Sequence, residues 1–329
     1  MFRQIHFLVL GSALLGARIP GALALQPAPA MLRRLFEQEL ARRKQESSDF
    51  DARTAQAARD LGMLLGMQGD AASAQHALAE AVRIDEKAFG PMASQTIADV
   101  AELAGVSPAS QAEPLWRRAA GSPDAAVAAR ALATLGQMRA NSGDAAEAAK
   151  FYRQAVAKEE AASGPDSLRS AVRLSALARV VSAPEGVGLL ERALAIDRRR
   201  LGARHPQTAT VATNLAELLV AAERLDEAER YSRDAISIFE ESLGFDDSHV
   251  ARAATILARV LRTKGPTAEA ERMYRLSLTL DEQAYGPRHR QTLSDVRELM
   301  GFLRETGKNK EAAELEKQKL SPNSVNGPR

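Results

Sequence analysis

The amino-acid sequence predicts an all-α, right-handed solenoid built from about seven helix–turn–helix repeats. Three observations predict this fold. A small residue recurs every 36–42 residues, and each interval holds two amphipathic stretches of helical period. No segment has the alternating, Val/Ile/Thr-rich pattern of a half-buried strand. One helical hairpin cannot bury its apolar face alone, so stacked hairpins must share a continuous core.

The composition suits such a core. The chain has 329 residues, of which 45% are hydrophobic but only 4% aromatic, so the core must consist mainly of Ala, Leu, Val and Ile. There is no cysteine. Its absence excludes disulfides, thiolate metal sites, iron–sulfur clusters and a cysteine nucleophile.

Residues 1–24 have the pattern of an export signal. A basic start at Arg3 is followed by an apolar run at residues 7–15 and by a small-x-small cleavage pattern at residues 22–24. The run is about half of the ~20 residues that a bilayer span needs, which makes an uncleaved anchor the weaker alternative. We therefore expect an exported protein, periplasmic or secreted, with no membrane span after cleavage.

The charge balance argues against nucleic acid as a partner. The whole chain has 44 basic and 42 acidic residues, and removal of residues 1–24 takes away Arg3 and Arg18. The remaining chain then has a formal net charge of zero. Phosphate contacts need an excess of positive charge, so general nucleic-acid binding has no electrostatic basis here.

The repeat is marked by two series of small residues. The series that closes the second helix of each repeat consists of Ala81, Ala119, Ala155, Ala193, Ala235 and Ser277. The series on the first helices consists of Gly62, Ala101, Gly136, Ala178, Ala216 and Ala258. Helices approach to ~8–10 Å only where the crossing side chains are small. Large neighbours such as Trp116 and Tyr274 are expected to fill the space between repeats.

The pattern also predicts boundaries and caps. Residues 25–50 are expected to hold a capping helix, residues 51–320 the solenoid and residues 321–329 a disordered tail. The Ser-Pro pairs at residues 107–108 and 122–123 favour helix starts, with Ser as the cap and Pro at the first position.

The residues of the fifth repeat resemble a known signature. Leu215, Ala216, Ala228, Tyr231 and Ala235 resemble the signature of the tetratricopeptide repeat. The connector at residues 201–209, with the sequence Leu-Gly-Ala-Arg-His-Pro-Gln-Thr-Ala, is similar to that of the 42-residue, kinesin-light-chain-like variant. Weaker copies occur at residues 285–292 and 89–91. The resemblance covers about residues 50–320.

Motifs of catalysis and metal binding are absent from the sequence. It has no glycine-rich phosphate loop, no His-x-x-x-His pair and no Gly-x-Ser-x-Gly elbow. His205 and His289 occupy equivalent connectors, and we interpret them as connector residues near helix starts. We therefore expect no enzymatic activity, no cofactor and no metal site.

The resemblance implies that the first helices line a concave groove and that binding side chains lie around their small residue. Applied to this chain, the family's offsets give a predicted site of Arg252, Arg259, Arg262, Arg297, Arg304 and Arg179. Asn214 matches the peptide-contacting asparagine of the family.

The arginines suggest a protein or peptide partner of unknown identity, held through an acidic segment or a C-terminal carboxylate. The alternative interpretation is a solvated basic face that balances acids elsewhere. A different class of function also stays open: a structural or assembly component of a cell-envelope complex, acting through the convex face or by self-association.

Overall fold

The computed structural model describes residues 29–46, 51–244, 247–265 and 267–320, and within these ranges the chain is helical with no β-strand. The predicted all-α repeat fold is confirmed. The fifteen described helices are α1 Pro29–Glu46, α2 Ala52–Met67, α3 Ala71–Phe89, α4 Ser94–Val106, α5 Ala109–Ala120, α6 Ala125–Asn141, α7 Ala145–Ser163, α8 Leu168–Ala178, α9 Ala183–Arg200, α10 Pro206–Ala221, α11 Leu225–Ser242, α12 Ser248–Lys264, α13 Ala268–Tyr285, α14 Arg290–Glu305 and α15 Asn309–Leu320.

The chain divides into two compact parts, one up to residue 112 and one from residue 113 onward. In the first part, α2 and α3 form a hairpin, and α3 packs against α4. In the second part the hairpins are α6/α7, α8/α9, α10/α11, α12/α13 and α14/α15. Each second helix of that part also packs against the next first helix, so neighbouring hairpins stack in sequence order.

The small residues lie where the spacing predicts. All six residues that close the second helices are at most 1% exposed. On the first helices, a Cβ added at Gly62 would come within 2.6 Å of Leu78 Cγ, and one added at Gly136 within 3.0 Å of the Tyr152 ring. The absence of a side chain therefore lets the two helices of these hairpins approach.

Large apolar residues fill the space between repeats. One core cluster joins Leu174 of α8, Leu190 of α9, Leu215 of α10 and Val260 of α12, which belong to three successive repeats. Trp116 and Tyr274 are buried, as expected. The fourth, fifth and sixth repeats thus share one core cluster.

The connectors share one hydrogen bond. A glycine with positive φ follows the second helix, and a hydroxyl six residues later donates to the glycine carbonyl. These bonds are Thr96 to Gly90 (2.9 Å), Ser170 to Gly164 (2.8 Å), Thr208 to Gly202 (2.8 Å) and Thr292 to Gly286 (2.9 Å). In these four connectors the bond joins the end of one repeat to the first turn of the next.

The histidines of the connectors cap helices. Nδ1 of His205 accepts a hydrogen bond from the backbone N–H of Gln207 at 3.1 Å, and Nδ1 of His289 accepts one from Gln291 at 3.2 Å. The interpretation of both as connector residues near helix starts therefore agrees with their positions.

Helices begin just after both Ser-Pro pairs, α5 at Ala109 and α6 at Ala125, but neither serine is the expected cap. The Ser107 hydroxyl donates to the Leu103 carbonyl at 2.7 Å, at the end of α4. Asp124, not Ser122, caps α6, since its carboxylate accepts from the N–H of Ala126 at 2.8 Å. A carboxylate stabilises the positive end of a helix more strongly than a hydroxyl, and here it stands next to the first turn.

Ion pairs link successive second helices at equivalent positions. Arginines on α7, α11 and α13 pair with glutamates one repeat later: Arg153 with Glu185 (2.8 Å), Arg233 with Glu269 (2.6 Å) and Arg275 with Glu311 (2.8 Å). Exposed pairs of this kind contribute only ~0–1 kcal/mol each, so they fix register more than stability.

The terminal helices close the core. Leu32 and Leu40 of α1 are buried, and α1 packs on α2 as the predicted cap does. On α15 only Ala312 is buried. The predicted export signal and tail, residues 1–24 and 321–329, lie outside the described residues. Among the described helices, none combines the length and the apolar character needed to cross a membrane.

The substitution Ala235→Leu tests the crossing of α10 and α11. Three extra carbons at this fully buried position should cost ~1–3 kcal/mol through overpacking. Ala157→Leu, on the exposed face of α7, is the matched control and should leave stability within ~0.5 kcal/mol. Chemical denaturation measures the stability of both variants. Equal stabilities would mean that Ala235 does not lie where the two helices cross.

Candidate functional site

The predicted site residues lie on first helices, where the spacing places them. Arg252, Arg259 and Arg262 lie on α12, and Arg297 and Arg304 on α14. The two helices belong to adjacent repeats, numbers six and seven. The prediction therefore places five arginines on two neighbouring first helices.

Three of the five arginines are engaged within the protein. Arg252 Nη2 lies 2.8 Å from Glu217 Oε2 of α10, and Arg304 Nη2 lies 2.8 Å from Glu316 Oε2 of α15. Arg262 Nε donates to Glu305 Oε2 at 2.7 Å. Glutamates 12 to 43 residues away in the sequence therefore reach the guanidinium groups of these three arginines.

Arg259 and Arg297 are different. Within the described residues neither guanidinium has a hydrogen bond or an ion pair. Arg259 is half-buried, whereas Arg297 is exposed. The candidate site is therefore centred on these two arginines of α12 and α14.

The other two predicted residues lie in earlier repeats. Arg179 is the exposed C-cap of α8, in the fourth repeat. Asn214 is half-buried on α10, in the fifth repeat. Neither belongs to the α12–α14 pair.

Charge is divided between first and second helices. The first helix α12 carries four basic residues and no acidic one. The second helix before it, α11, carries two basic and six acidic residues. The first helices α6 and α8 also lack acidic residues. Three of the first helices, α6, α8 and α12, are therefore basic.

Sequence analysis missed a pair of buried acids between the sixth and seventh repeats. Asp281 on α13 and Asp295 on α14 are 3% and 2% exposed. Ser277 Oγ donates to Asp295 Oδ2 at 2.9 Å, and the hydroxyls of Ser277 and Thr255 lie 2.6 Å apart. Burial first, and then Asp281, raises the pKa of Asp295 to about 7. Burial also raises the pKa of Asp281.

A second buried acid pair lies in the first part of the chain. Asp85 of α3 and Asp99 of α4 both bind Arg59 of α2, with Arg59 Nη2 at 3.1 Å from Asp85 Oδ2 and 2.9 Å from Asp99 Oδ2. Burial and the neighbouring Asp99 raise the pKa of Asp85 to about 6. The spacing that the family resemblance implies for groove residues also includes Arg59, but the Arg59 guanidinium is already bound to these two acids.

The sequence does contain a signal for the buried acids. Asp85, Asp197 and Asp281 each stand four residues after the small residue that closes a second helix, on the face that the small residue buries. Acids are seldom buried without partners, so this recurrence marks polar contacts inside the stack. Within the described ranges no cluster of three or more side chains could hold a metal ion.

Family models match most of the repeats. Models described as tetratricopeptide repeat match residues 182–241, residues 54–91 and 250–291, and residues 129–157. No curated protein matches the chain in sequence.

Solved structures share the fold. A protein of Podosopora anserina described as a kinesin light chain with nearly identical TPR-like repeats has 22% identity and a TM-score of 0.50, and the match covers 58% of this chain and 92% of that one. BtubC of P. vanneervenii has 19% identity and a TM-score of 0.54, covering 71% and 92%. A Rap protein complexed with Competence and Sporulation Factor has 14% identity and a TM-score of 0.54, covering 82% and 76%.

The raised pKa of Asp295 predicts a pH dependence of stability. A raised folded-state pKa means that the folded chain holds a proton which the unfolded chain releases above pH ~4. Stability should therefore fall as pH rises from about 4 to 7 and level off above that range. Asp295→Asn should remove this part of the dependence and stabilise the protein at pH 8 by roughly 1–3 kcal/mol.

Urea denaturation between pH 5 and 8 measures the effect. Asp234→Asn, which changes an exposed aspartate on α11, is the matched control and should keep the wild-type profile. If the stability of Asp295→Asn changed with pH in the same way as that of the wild type, Asp295 would not be the source of the pH dependence.

Proposed function

The chain belongs to the tetratricopeptide repeat family, and from this premise we propose that it is a non-enzymatic scaffold whose first-helix face binds an acidic segment of a protein partner. One observation carries the proposal. Arg259 and Arg297 lie on adjacent first helices and have no acidic partner among the described residues.

The surroundings favour an anionic ligand. Helix α12 has no acid of its own, so a carboxylate that approaches Arg259 meets no negative charge on that helix. An arginine fork pairs with a carboxylate through two parallel hydrogen bonds, and the half-buried setting of Arg259 reduces competition from water. The engaged arginines Arg252, Arg262 and Arg304 add to the local positive potential only in part, because glutamates neutralise them.

The charge of two arginines is too small a contribution to explain a micromolar complex. An exposed ion pair contributes ~0.2–1 kcal/mol, whereas a micromolar complex needs ~8 kcal/mol. Two arginines therefore supply only part of the affinity. The rest must come from apolar contacts and from backbone hydrogen bonds of an ordered segment. Val172, an exposed apolar residue on the first helix α8, is a candidate for one such contact.

The fold is compatible with a bound partner. The Rap protein of the same fold was solved in complex with Competence and Sporulation Factor. At 14% identity the similarity extends to the fold alone, so the nature of the ligand here rests on the arginines of this chain.

We place this role outside the cytoplasm. The support is the pattern of residues 1–24, with a basic start, a short apolar run and a small-x-small motif. Fractionation of cells that produce the full chain, with N-terminal sequencing of the product, would test it. Cytoplasmic protein that keeps its first residue would contradict export.

An NMR titration with a tetra-glutamate peptide at high concentration tests the ligand chemistry, because NMR detects the weak binding expected of a ligand that supplies charge alone. The double variant Arg259→Ala/Arg297→Ala should weaken binding by about tenfold or more, because both carboxylate contacts are lost. The control Arg230→Ala/Arg272→Ala removes the same charge from the second helices α11 and α13 and should bind as wild type does. Equal affinity of the two double variants would contradict the proposed site.

A further inference from the structure

The buried acids of the sixth and seventh repeats match a site in the first two repeats. In that earlier site, Arg59 of α2 contacts Asp85 of α3 and Asp99 of α4. In the amide orientation that satisfies its neighbours, Gln95 also accepts from Arg59 Nη1 at 2.7 Å. One guanidinium thus joins two buried carboxylates and one amide.

The same set recurs 196 residues later with one change. Asp85, Gln95 and Asp99 correspond to Asp281, Gln291 and Asp295, which are identical in type. Their helices correspond as well, since α12, α13 and α14 stand in the repeat where α2, α3 and α4 stand. The position of Arg59 is taken by Thr255. The later site therefore keeps the groups that accept a guanidinium and lacks the guanidinium.

Other junctions of the chain avoid such a pair. At the positions of Asp85 and Asp99, the third and fourth repeats carry Glu159 and Arg173, which form an ion pair at 3.4 Å. The next two junctions carry Asp197 with Val211 and Phe239 with Ala253. At the first of these junctions a cation balances the acid, and at the other two there is no pair of acids.

At the later site the pKa values of both acids are raised. The pKa of Asp295 is raised to about 7, chiefly by burial and by Asp281. The other charged groups near the pair are Glu298 of α14, which also raises the pKa of Asp295, and His289 at the start of α14, which lowers the pKa of Asp281. From α12 and α13 the pair is reached through the hydroxyls of Thr255 and Ser277.

Thr255 lies between the pair and the first-helix face. It stands on α12 between Arg252 and Arg259, and it is half-buried. The Arg59 side chain reaches the earlier pair from the equivalent position on α2. Threonine is much shorter than arginine and brings no guanidinium to the later pair.

We propose that Asp281 and Asp295 form a subsite for an arginine side chain of the bound partner, whose guanidinium enters past Thr255 and takes the place that the Arg59 guanidinium has between Asp85 and Asp99. The proposal rests on the proposed role of the first-helix face as the binding surface. It adds a basic residue to the ligand, next to the acidic segment that faces Arg259 and Arg297.

Cation binding at this subsite releases a proton, so it must strengthen as pH rises through the pKa of Asp295. Below that pKa the cation competes with a bound proton, and above it the site carries a second negative charge. Two buried carboxylates that accept a guanidinium make charge-assisted, forked hydrogen bonds, which favours arginine over neutral side chains.

The test uses acetyl-arginine amide as the probe and acetyl-citrulline amide, its uncharged isostere, as the ligand control. NMR titration of the full chain should show shifts at residues around 281 and 295 with the arginine probe. The affinity should rise about tenfold from pH 5.5 to pH 8, and the citrulline probe should produce no such shifts. Equal binding of both probes, or arginine binding that does not change with pH, would overturn the proposal.

A variant that is expected to be more stable than the wild type separates loss of binding from loss of folding. Thr255→Arg rebuilds the Arg59 arrangement within the chain, so it should abolish probe binding and raise the melting temperature at pH 8. Thr263→Arg, which adds the same charge on the exposed face of α12, should leave probe binding unchanged. Probe binding that survives in Thr255→Arg would contradict the subsite.

The two proposals fail separately. If tetra-glutamate binds through Arg259 and Arg297 but the arginine probe does not bind, the subsite alone is wrong. If the probe binds but tetra-glutamate does not, the acidic-segment proposal is wrong and the buried pair is still a guanidinium site.

Discussion

The close approach of two helices at a small residue is the constraint on which this structure depends. Ala235 is fully buried, and a Cβ at Gly136 would meet the Tyr152 ring. With so few atoms at the crossing, each hairpin has little core of its own. Its larger side chains therefore turn to the neighbouring repeats, as the cluster from Leu174 to Val260 does across three of them. Stability therefore depends in part on the stack, since neighbouring repeats share buried apolar residues.

First and second helices have different roles in this arrangement. The second helices carry many acids, and their arginines pair from one repeat to the next, as Arg233 does with Glu269. Those groups are used within the protein. The first helices α6, α8 and α12 carry basic residues and no acidic ones, and on α12 and α14 two arginines, Arg259 and Arg297, have no ion pair among the described residues. The proposed binding role follows from these two arginines on adjacent first helices and from the lack of acids on α12.

The sequence was sufficient to predict the repeats, because small residues at fixed spacing reflect a local steric requirement. It also placed Arg259 and Arg297 on neighbouring first helices. The sequence indicated that Glu298 and Glu305 oppose these arginines, but it did not settle which arginine pairs with which glutamate, since the contact of Arg262 with Glu305 joins side chains 43 residues apart and depends on their rotamers. The acid pair was missed because Asp281 and Asp295 look like surface acids until the helices are packed. Only the comparison with Arg59, Asp85 and Asp99 shows that a guanidinium is the group that such a pair holds elsewhere in the chain.

Hydrogen–deuterium exchange with and without a bound acidic peptide tests the division between first and second helices most directly. The account predicts slower exchange in α12 and α14, where the ligand contacts Arg259 and Arg297, with α11 and α13 changed much less. Protection confined to α11 and α13, with none in α12 and α14, would contradict it, because the binding surface would then lie on the second helices.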